Sequence, residues 1–107
     1  MSQDEQRPED LHLLIVDDHG LAREGMVALF CPVENIRAEA IEPHEAVCAA
    51  RRSAPEVVLI DLSFSDGQLF DTAESILEQI DSTRVMFLDS ILRPAHLSMA
   101  IAAGAHG

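Results

Sequence analysis

Acidic residues follow short apolar runs at three places in the sequence. They are Asp17 and Asp18 together, then Asp61, then Asp89, which Ser90 follows. Crowded carboxylates raise one another's pKa unless a cation neutralises them, and an oxygen-only cluster suits a hard ion such as Mg²⁺. If the apolar runs are neighbouring strands, these acids form a candidate Mg²⁺ site.

A cation beside one carboxylate also suggests a reaction. In-line phosphoryl transfer to a carboxylate oxygen needs charge neutralisation and positioning more than covalent help from the protein. We predict that Asp61 is the residue that accepts the phosphoryl group. A single aspartate at a strand end often caps a helix or begins a turn instead. Asp17, Asp18 and Asp61 taken together favour a site.

Strands and helices are predicted to alternate four times along the chain. Apolar or alternating runs predict strands over 11–16, 35–41, 57–60 and 85–88. Helical periodicity, with proline near helix ends, predicts helices over 19–30, 43–53, 69–80 and 94–103. This alternation implies a parallel α/β sheet with right-handed crossovers and helices on both faces. Ligands of such sheets bind at the carboxyl ends of the strands, where the acids stand.

Several other side chains are expected to serve packing or solvation. The first helix should present an apolar stripe to the sheet, namely Leu21, Met26, Leu29 and Phe30. Met26, Met86 and Met99 are expected to pack in the core. Cys31 and Cys48 form no CxxC motif, which favours reduced, buried thiols. We expect His19 to begin the first helix at the rim of the site, and His44 and His96 to be solvated.

The composition limits the classes of function. A chain of 107 residues, 48% of them hydrophobic, can build one packed domain. Its 7 Lys and Arg against 19 Asp and Glu give a net charge of −12, which opposes binding of this piece to nucleic acid or anionic lipid. Residues 1–10 are polar and acidic and predict a disordered lead-in, not a signal peptide. Without an apolar run of roughly 20 residues, we expect a cytoplasmic protein.

Four stretches of the sequence also resemble a known family. LLIVDDHGLAREGMVALF, PEVVLIDLSFSDG, TRVMFLDS and HLSMAIAAGAHG resemble, in that order, the first strand and helix, the phosphoacceptor strand and loop, the fourth strand, and the fourth helix of receiver domains. These are the receiver domains of two-component response regulators, in particular of the LuxR/NarL/FixJ group of transcription factors. The resemblance covers roughly residues 11–107.

The resemblance implies a fold and a set of site residues. The fold is the CheY-like, flavodoxin-like doubly wound parallel sheet with strand order 2-1-3-4-5. Its fifth strand, a following Lys and a fifth helix would come after Gly107, so the domain over 11–107 is expected to be incomplete at its C-terminus. Asp61 matches the phosphoacceptor and Asp18 a direct Mg²⁺ ligand. Asp17 matches a water-mediated ligand, and the backbone carbonyl of Ser63 the remaining protein ligand.

The resemblance further implies a switch, not an enzyme acting on a separate substrate. A sensor histidine kinase would phosphorylate Asp61 in a Mg²⁺-dependent reaction. That modification would control dimerisation and an attached helix-turn-helix domain, which would bind the DNA.

The end of the fourth strand departs from the family pattern, and this departure keeps alternatives open. The fourth strand of the family usually ends in Thr or Ser, whereas this chain has Asp89, followed by Ser90. An ionised Asp89 would repel the phosphoryl group. A phosphorylation-independent interaction or dimerisation module is therefore the alternative, and a Mg²⁺-dependent phosphohydrolase is a further one. A flavodoxin-like cofactor protein is disfavoured, because the loops lack a Gly-rich phosphate cradle and the chain has neither Trp nor Tyr.

Overall fold

Strands and helices alternate along the chain in the computed structural model, which describes residues 10–63, 68–91 and 93–107. The strands are β1 (Leu11–Val16), β2 (Ile36–Ile41), β3 (Val57–Asp61) and β4 (Arg84–Leu88). The helices are α1 (Gly20–Phe30), α2 (Ala46–Ser53), α3 (Gln68–Gln79) and α4 (Pro94–Ala102), with a 3-10 turn over Pro43–Glu45 before α2. Apart from Asp10, the predicted lead-in lies outside the described residues.

The four strands form one parallel sheet in the order β2-β1-β3-β4. This confirms the predicted doubly wound, flavodoxin-like topology. Val16 at the end of β1 aligns with Ile60 of β3, and Asp61 aligns with Leu88 of β4. The carboxyl ends of β1, β3 and β4 therefore lie side by side at one edge of the sheet.

The main hydrophobic core lies between one face of the sheet and helices α2, α3 and α4. Val58 and Ile60 of β3 are fully buried on this face, and Phe87 of β4 packs against the same cluster. The helices contribute buried alanines, leucine, isoleucine and phenylalanine, namely Ala46, Ala49, Ala50, Leu69, Phe70, Ala73 and Ile76. The alanines of α2 are fully buried in this core.

The opposite face, which carries α1, is only partly covered. Leu13 and Ile15 of β1 are buried there. However, α1 contains no buried residue, and Leu21 and Leu29 are 84% and 72% exposed. The expectation that the full apolar stripe of α1 packs on the sheet is wrong. The helix lies along β1 and β2 and leaves these two leucines on its outer side.

The methionine and cysteine expectations also need correction. Met86 of β4 and Met99 of α4 are each 44% exposed, so they are not core residues. Cys31 and Cys48 are free, as expected, but both are exposed. Cys31 follows the last turn of α1, and Cys48 lies on the outer side of α2, whose alanines face the core.

Residues 106 and 107 hydrogen-bond to β4, although neither belongs to a strand. The backbone N–H of His106 donates to the carbonyl of Val85 at 2.8 Å, and the N–H of Phe87 donates to the carbonyl of Gly107 at 3.0 Å. The imidazole Nδ1 of His106 also accepts a hydrogen bond from the Val85 N–H at 3.1 Å. These bonds lie on the side of β4 where the resemblance places a fifth strand. Within the described residues, no helix is long and apolar enough to cross a membrane.

Candidate functional site

The candidate site is built on the ends of β1 and β3, two neighbouring strands. Asp17 comes directly after β1 and is 1% exposed, while Asp61 is the last residue of β3 and is 9% exposed. The side chain of Asp18, one residue further, is 44% exposed. The structure thus places Asp17 beside Asp61, two acids from separate strand ends, with Asp17 buried and Asp18 at the exposed rim.

Asp17 is a buried carboxylate with only half of its oxygens satisfied. Its Oδ1 accepts a hydrogen bond from the backbone N–H of His19 at 2.9 Å. Its Oδ2 is buried and has no hydrogen-bond partner. Burial raises the pKa of Asp17, and the adjacent Asp61 carboxyl raises it further, against the lowering effect of the His19 hydrogen bonds. Burial and the neighbouring Asp61 carboxyl therefore disfavour the ionised form of Asp17.

Asp61 is oriented by the loop that follows β3. The backbone N–H of Ser63 donates to Asp61 Oδ1 at 2.9 Å, an arrangement in which the aspartate accepts from the residue two positions ahead. The Leu62 N–H donates to the Leu88 carbonyl at 2.7 Å, so this loop is still tied to β4. These two bonds fix the backbone of Ser63 beside Asp61, where its carbonyl was predicted as a metal ligand. The remainder of the loop, 64–67, lies outside the described residues.

His19 takes a closer part in the site than predicted. It is the N-cap residue of α1, as expected. Its Nδ1 also lies 2.9 Å from Asp18 Oδ1 and 3.5 Å from Asp17 Oδ1. One atom from each of the three residues lies within 4.8 Å of the others, a spacing at which they can share a metal ion. The sequence signal was the direct succession Asp17-Asp18-His19.

Arg23 of α1 holds the backbone just after β1, a role that was not predicted. Its Nη1 donates to the backbone carbonyl of Asp17 at 2.8 Å. Its Nη2 lies 3.5 Å from Glu42 Oε1, just after β2. The guanidinium thereby connects α1 with the ends of β1 and β2. In the sequence, this role could have been inferred from the spacing, because Arg23 lies one helical turn after His19.

The donor set fits a hard divalent cation. The residues expected to bind Mg²⁺ are Asp17, Asp18, Asp61 and the Ser63 carbonyl, and they would supply the oxygen ligands that Mg²⁺ favours. The described cluster whose ligand atoms lie within 4.8 Å of one another consists of Asp17, Asp18 and His19. A bound ion would also give the buried Oδ2 of Asp17 the partner that it lacks. A bound cation would offset both the burial of Asp17 and its repulsion with Asp61.

Asp89 stands where the family usually has Thr or Ser, and its side chain contacts helix α4 instead of the acidic cluster. Its Oδ2 lies 2.9 Å from Nδ1 of His96 in α4, and both side chains are largely buried, at 14% and 19% exposure. The hydrogen bond with His96 lowers the pKa of Asp89, and the Ile91 N–H and the charge of Arg93 lower it further. The expectation that His96 is solvated is therefore wrong, whereas His44 is 71% exposed as predicted. Ser90 is exposed.

Comparisons with known proteins bear on the origin of this arrangement. No family model matches the chain. The chain is 28% identical over 97 residues to an uncharacterised transcriptional regulatory protein, YhcZ, of Bacillus subtilis. It is 29% identical over 97 residues to the DNA-binding transcriptional activator DevR/DosR of Mycobacterium tuberculosis. Each match covers 89% of this chain and 45% of the relative, so the chain spans about half the length of the curated relatives it matches.

Solved structures show the same relationship. A LuxR-family two-component response regulator from Aurantimonas superimposes with a TM-score of 0.78 and 26% identity, over 92% of this chain and 71% of the other. The signal receiver domain of a response regulator named NarL from Mycobacterium tuberculosis gives a TM-score of 0.76 and 26% identity, over 92% and 81%. In its sequence and its fold, the chain is similar to the receiver domains of LuxR/NarL-type response regulators.

Proposed function

We propose that residues 11–107 form a phosphoacceptor domain in which Asp61 receives a phosphoryl group in a Mg²⁺-dependent reaction. The observation that carries this proposal is the pairing of Asp61 with the buried Asp17, whose Oδ2 lacks any hydrogen-bond donor. Two adjacent, mostly buried carboxylates are costly without a cation. The same cation would reduce the repulsion between Asp61 and an incoming phosphoryl group.

Each site residue has a distinct role in this proposal. A carboxylate oxygen of Asp61 attacks the phosphorus of the donor, and the bond from phosphorus to the leaving group breaks, so that the leaving group keeps the electron pair. Asp17, Asp18, Asp61 and the Ser63 carbonyl would hold Mg²⁺, which supplies charge neutralisation. The Ser63 N–H keeps one oxygen of Asp61 in a fixed orientation. Attack by a carboxylate oxygen transfers no proton, so this step needs no general base.

The partners follow from the same proposal. The donor in the cell would be the phosphohistidine of a sensor kinase. The curated relatives are named as transcriptional regulators and are about twice as long as this chain. We therefore propose that phosphorylation controls dimerisation and a helix-turn-helix DNA-binding domain of the full-length protein. DNA binding would reside in that second domain, since this piece carries a net charge of −12.

The test uses acetyl phosphate as a small phosphoryl donor. The protein is incubated with acetyl phosphate and Mg²⁺ at neutral pH, and intact mass is measured. We expect the addition of one phosphoryl group, its loss in EDTA, and its loss in Asp61→Asn. Asp81→Asn, which changes an exposed carboxylate far along the chain from the site, is the matched control and should be modified normally.

This experiment, together with an assay of phosphate release from a phosphomonoester, separates the two alternatives. An unmodified protein at millimolar Mg²⁺ would contradict the proposal and favour a phosphorylation-independent interaction module. Continuous release of phosphate from a phosphomonoester, abolished by Asp18→Ala, would favour a phosphohydrolase. The proposal predicts one phosphoryl group per chain and no such turnover.

A further inference from the structure

Asp89 and His96 tie the end of β4 to helix α4. The 2.9 Å contact between Asp89 Oδ2 and His96 Nδ1 joins residues seven positions apart across the β4–α4 connection. The imidazole is itself held in place, because it packs edge-on against Phe70 of α3 with ring centroids 5.5 Å apart. Phe70 in turn contacts Phe87 of β4 at 5.1 Å. His96 therefore has a defined position from which to hold the Asp89 carboxylate.

The two strand-end carboxylates Asp61 and Asp89 are turned in different directions. Asp61 aligns with Leu88 in the sheet, and its carboxyl lies next to Asp17 on the β1 side. Asp89 follows one residue after Leu88 and lines a cavity of about 230 Å³ with Phe87, His96 and Ala100 on the α4 side. Side chains alternate between faces along a strand, so Asp89 continues the face of Phe87. The contact with His96 keeps the Asp89 carboxylate on the face of the sheet that packs against α4.

We propose that His96 is a positioning residue for the phosphorylation of Asp61, because it holds the Asp89 carboxylate against α4 and keeps that negative charge from the incoming phosphoryl group. This inference rests on the proposed function. A phosphoryl group carries roughly −1.5 to −2 charges at neutral pH. A free Asp89 side chain at the adjacent strand end would repel it, and a restrained one repels it less.

The geometry also couples the site to α4. Asp89 belongs to the segment that leaves β4, and His96 belongs to the first turns of α4. The contact therefore joins the end of β4 to the first turns of α4.

A double-mutant cycle tests the positioning role. The rate of Asp61 phosphorylation by acetyl phosphate with Mg²⁺ is measured by intact mass for the wild type, His96→Gln, Asp89→Asn and the double variant. We expect His96→Gln to be modified about fivefold more slowly, the order expected for one unit charge acting across a partly solvated site. Asp89→Asn should be modified at least as fast as the wild type. In the Asp89→Asn background, His96→Gln should have little further effect.

Two results overturn the inference and can be told apart. A merely structural role for His96, through its packing on Phe70, would slow phosphorylation equally in both backgrounds. That outcome leaves the proposed function standing and removes the positioning role. If none of the four proteins is modified, including Asp89→Asn, the proposed function fails and the inference fails with it. Circular dichroism spectra of all four proteins establish that each is folded.

Discussion

Asp17 is the side chain at which the electrostatics of the site are least balanced. It is 1% exposed, its Oδ2 has no partner, and it shares its surroundings with Asp61. Arg23 is close by, but its guanidinium bonds the backbone carbonyl of Asp17 and not the carboxylate. Such an arrangement should lower stability in the absence of a cation, and a bound cation should reverse that effect.

Replacing Asp17 by Asn should stabilise the metal-free protein. The amide oxygen can still accept from the His19 N–H, while the uncompensated buried charge is removed, so we expect a gain of about 1–2 kcal/mol in the free energy of unfolding. Urea denaturation in EDTA, followed by circular dichroism because the chain has no Trp or Tyr, measures it. Mg²⁺ should stabilise the wild type and have little effect on Asp17→Asn. Asp18→Asn, at the exposed rim, is the control and should change metal-free stability much less.

The difference in stability between Asp17→Asn and the wild type should depend on pH. The pKa of Asp17 is raised above its ordinary value of 3.8, so the folded protein binds this proton more tightly than the unfolded chain. The stability that Asp17 contributes is complete below pH 3.8 and is lost as the pH rises through the raised pKa. The stability advantage of Asp17→Asn over the wild type, both in EDTA, should therefore grow as the pH is raised. An advantage that shrinks over the same range would contradict the assignment.

Among individual side chains, the sequence predicted some contacts and missed others. Asp17 and Asp61 were predicted to meet because parallel strands end at one edge of a sheet. The contact between Asp89 and His96 was missed, since a seven-residue separation across a loop follows no strand or helix period. The prediction that the cysteines are buried was wrong for a similar reason. A helical pattern shows that a residue is apolar, but it does not show whether another element packs against that side of the helix.

Helix α2 ends in an unusual way for its sequence. Ala54, directly after the helix, has φ 45° and ψ 59°, in the left-handed region, and its N–H still donates to the Ala50 carbonyl at 2.8 Å. This conformation costs a residue with a Cβ roughly 1–2 kcal/mol relative to glycine. The turn is nevertheless needed, because it directs the chain through Pro55 into β3.

Ala54→Gly should therefore stabilise the protein, by up to about 1 kcal/mol after the greater flexibility of glycine in the unfolded chain is included. Thermal or urea denaturation measures the change. The same substitution at Ala28, an exposed position inside α1, should destabilise by about 1 kcal/mol. Opposite signs at the two positions are the expected result. A loss of stability at both would mean that Ala54 is not strained in solution.

Most elements were predicted within one or two residues of their observed limits. Continuous apolar runs located β1, β3 and β4, because buried parallel strands need apolar side chains on both faces. The second helix was predicted to start at Pro43, but the chain first forms a 3-10 turn over Pro43–Glu45. The hydrogen-bond pattern of a first helical turn is decided by local geometry that composition does not encode.

Burial is distributed unevenly over the whole molecule. The face of the sheet covered by α2, α3 and α4 contains the main core, whereas the α1 face buries β1 and leaves Met86 and Leu88 of β4 each 44% exposed. The amphipathic pattern of α1 correctly indicated a helix but did not show how much of its apolar surface this sheet covers. That depends on the relative positions of the elements, which the sequence pattern does not specify.

A matched pair of leucine substitutions tests this uneven burial. Leu14 in β1 is fully buried, so Leu14→Ala should lower the free energy of unfolding by about 3 kcal/mol, through lost burial and the cavity left behind. Leu29 in α1 is 72% exposed, so Leu29→Ala should change it by less than about 0.5 kcal/mol. Both are measured by urea denaturation at the same pH and Mg²⁺ concentration. A cost at Leu29 close to that at Leu14 would show that the outer side of α1 is covered in solution, by self-association if the cost rises with protein concentration.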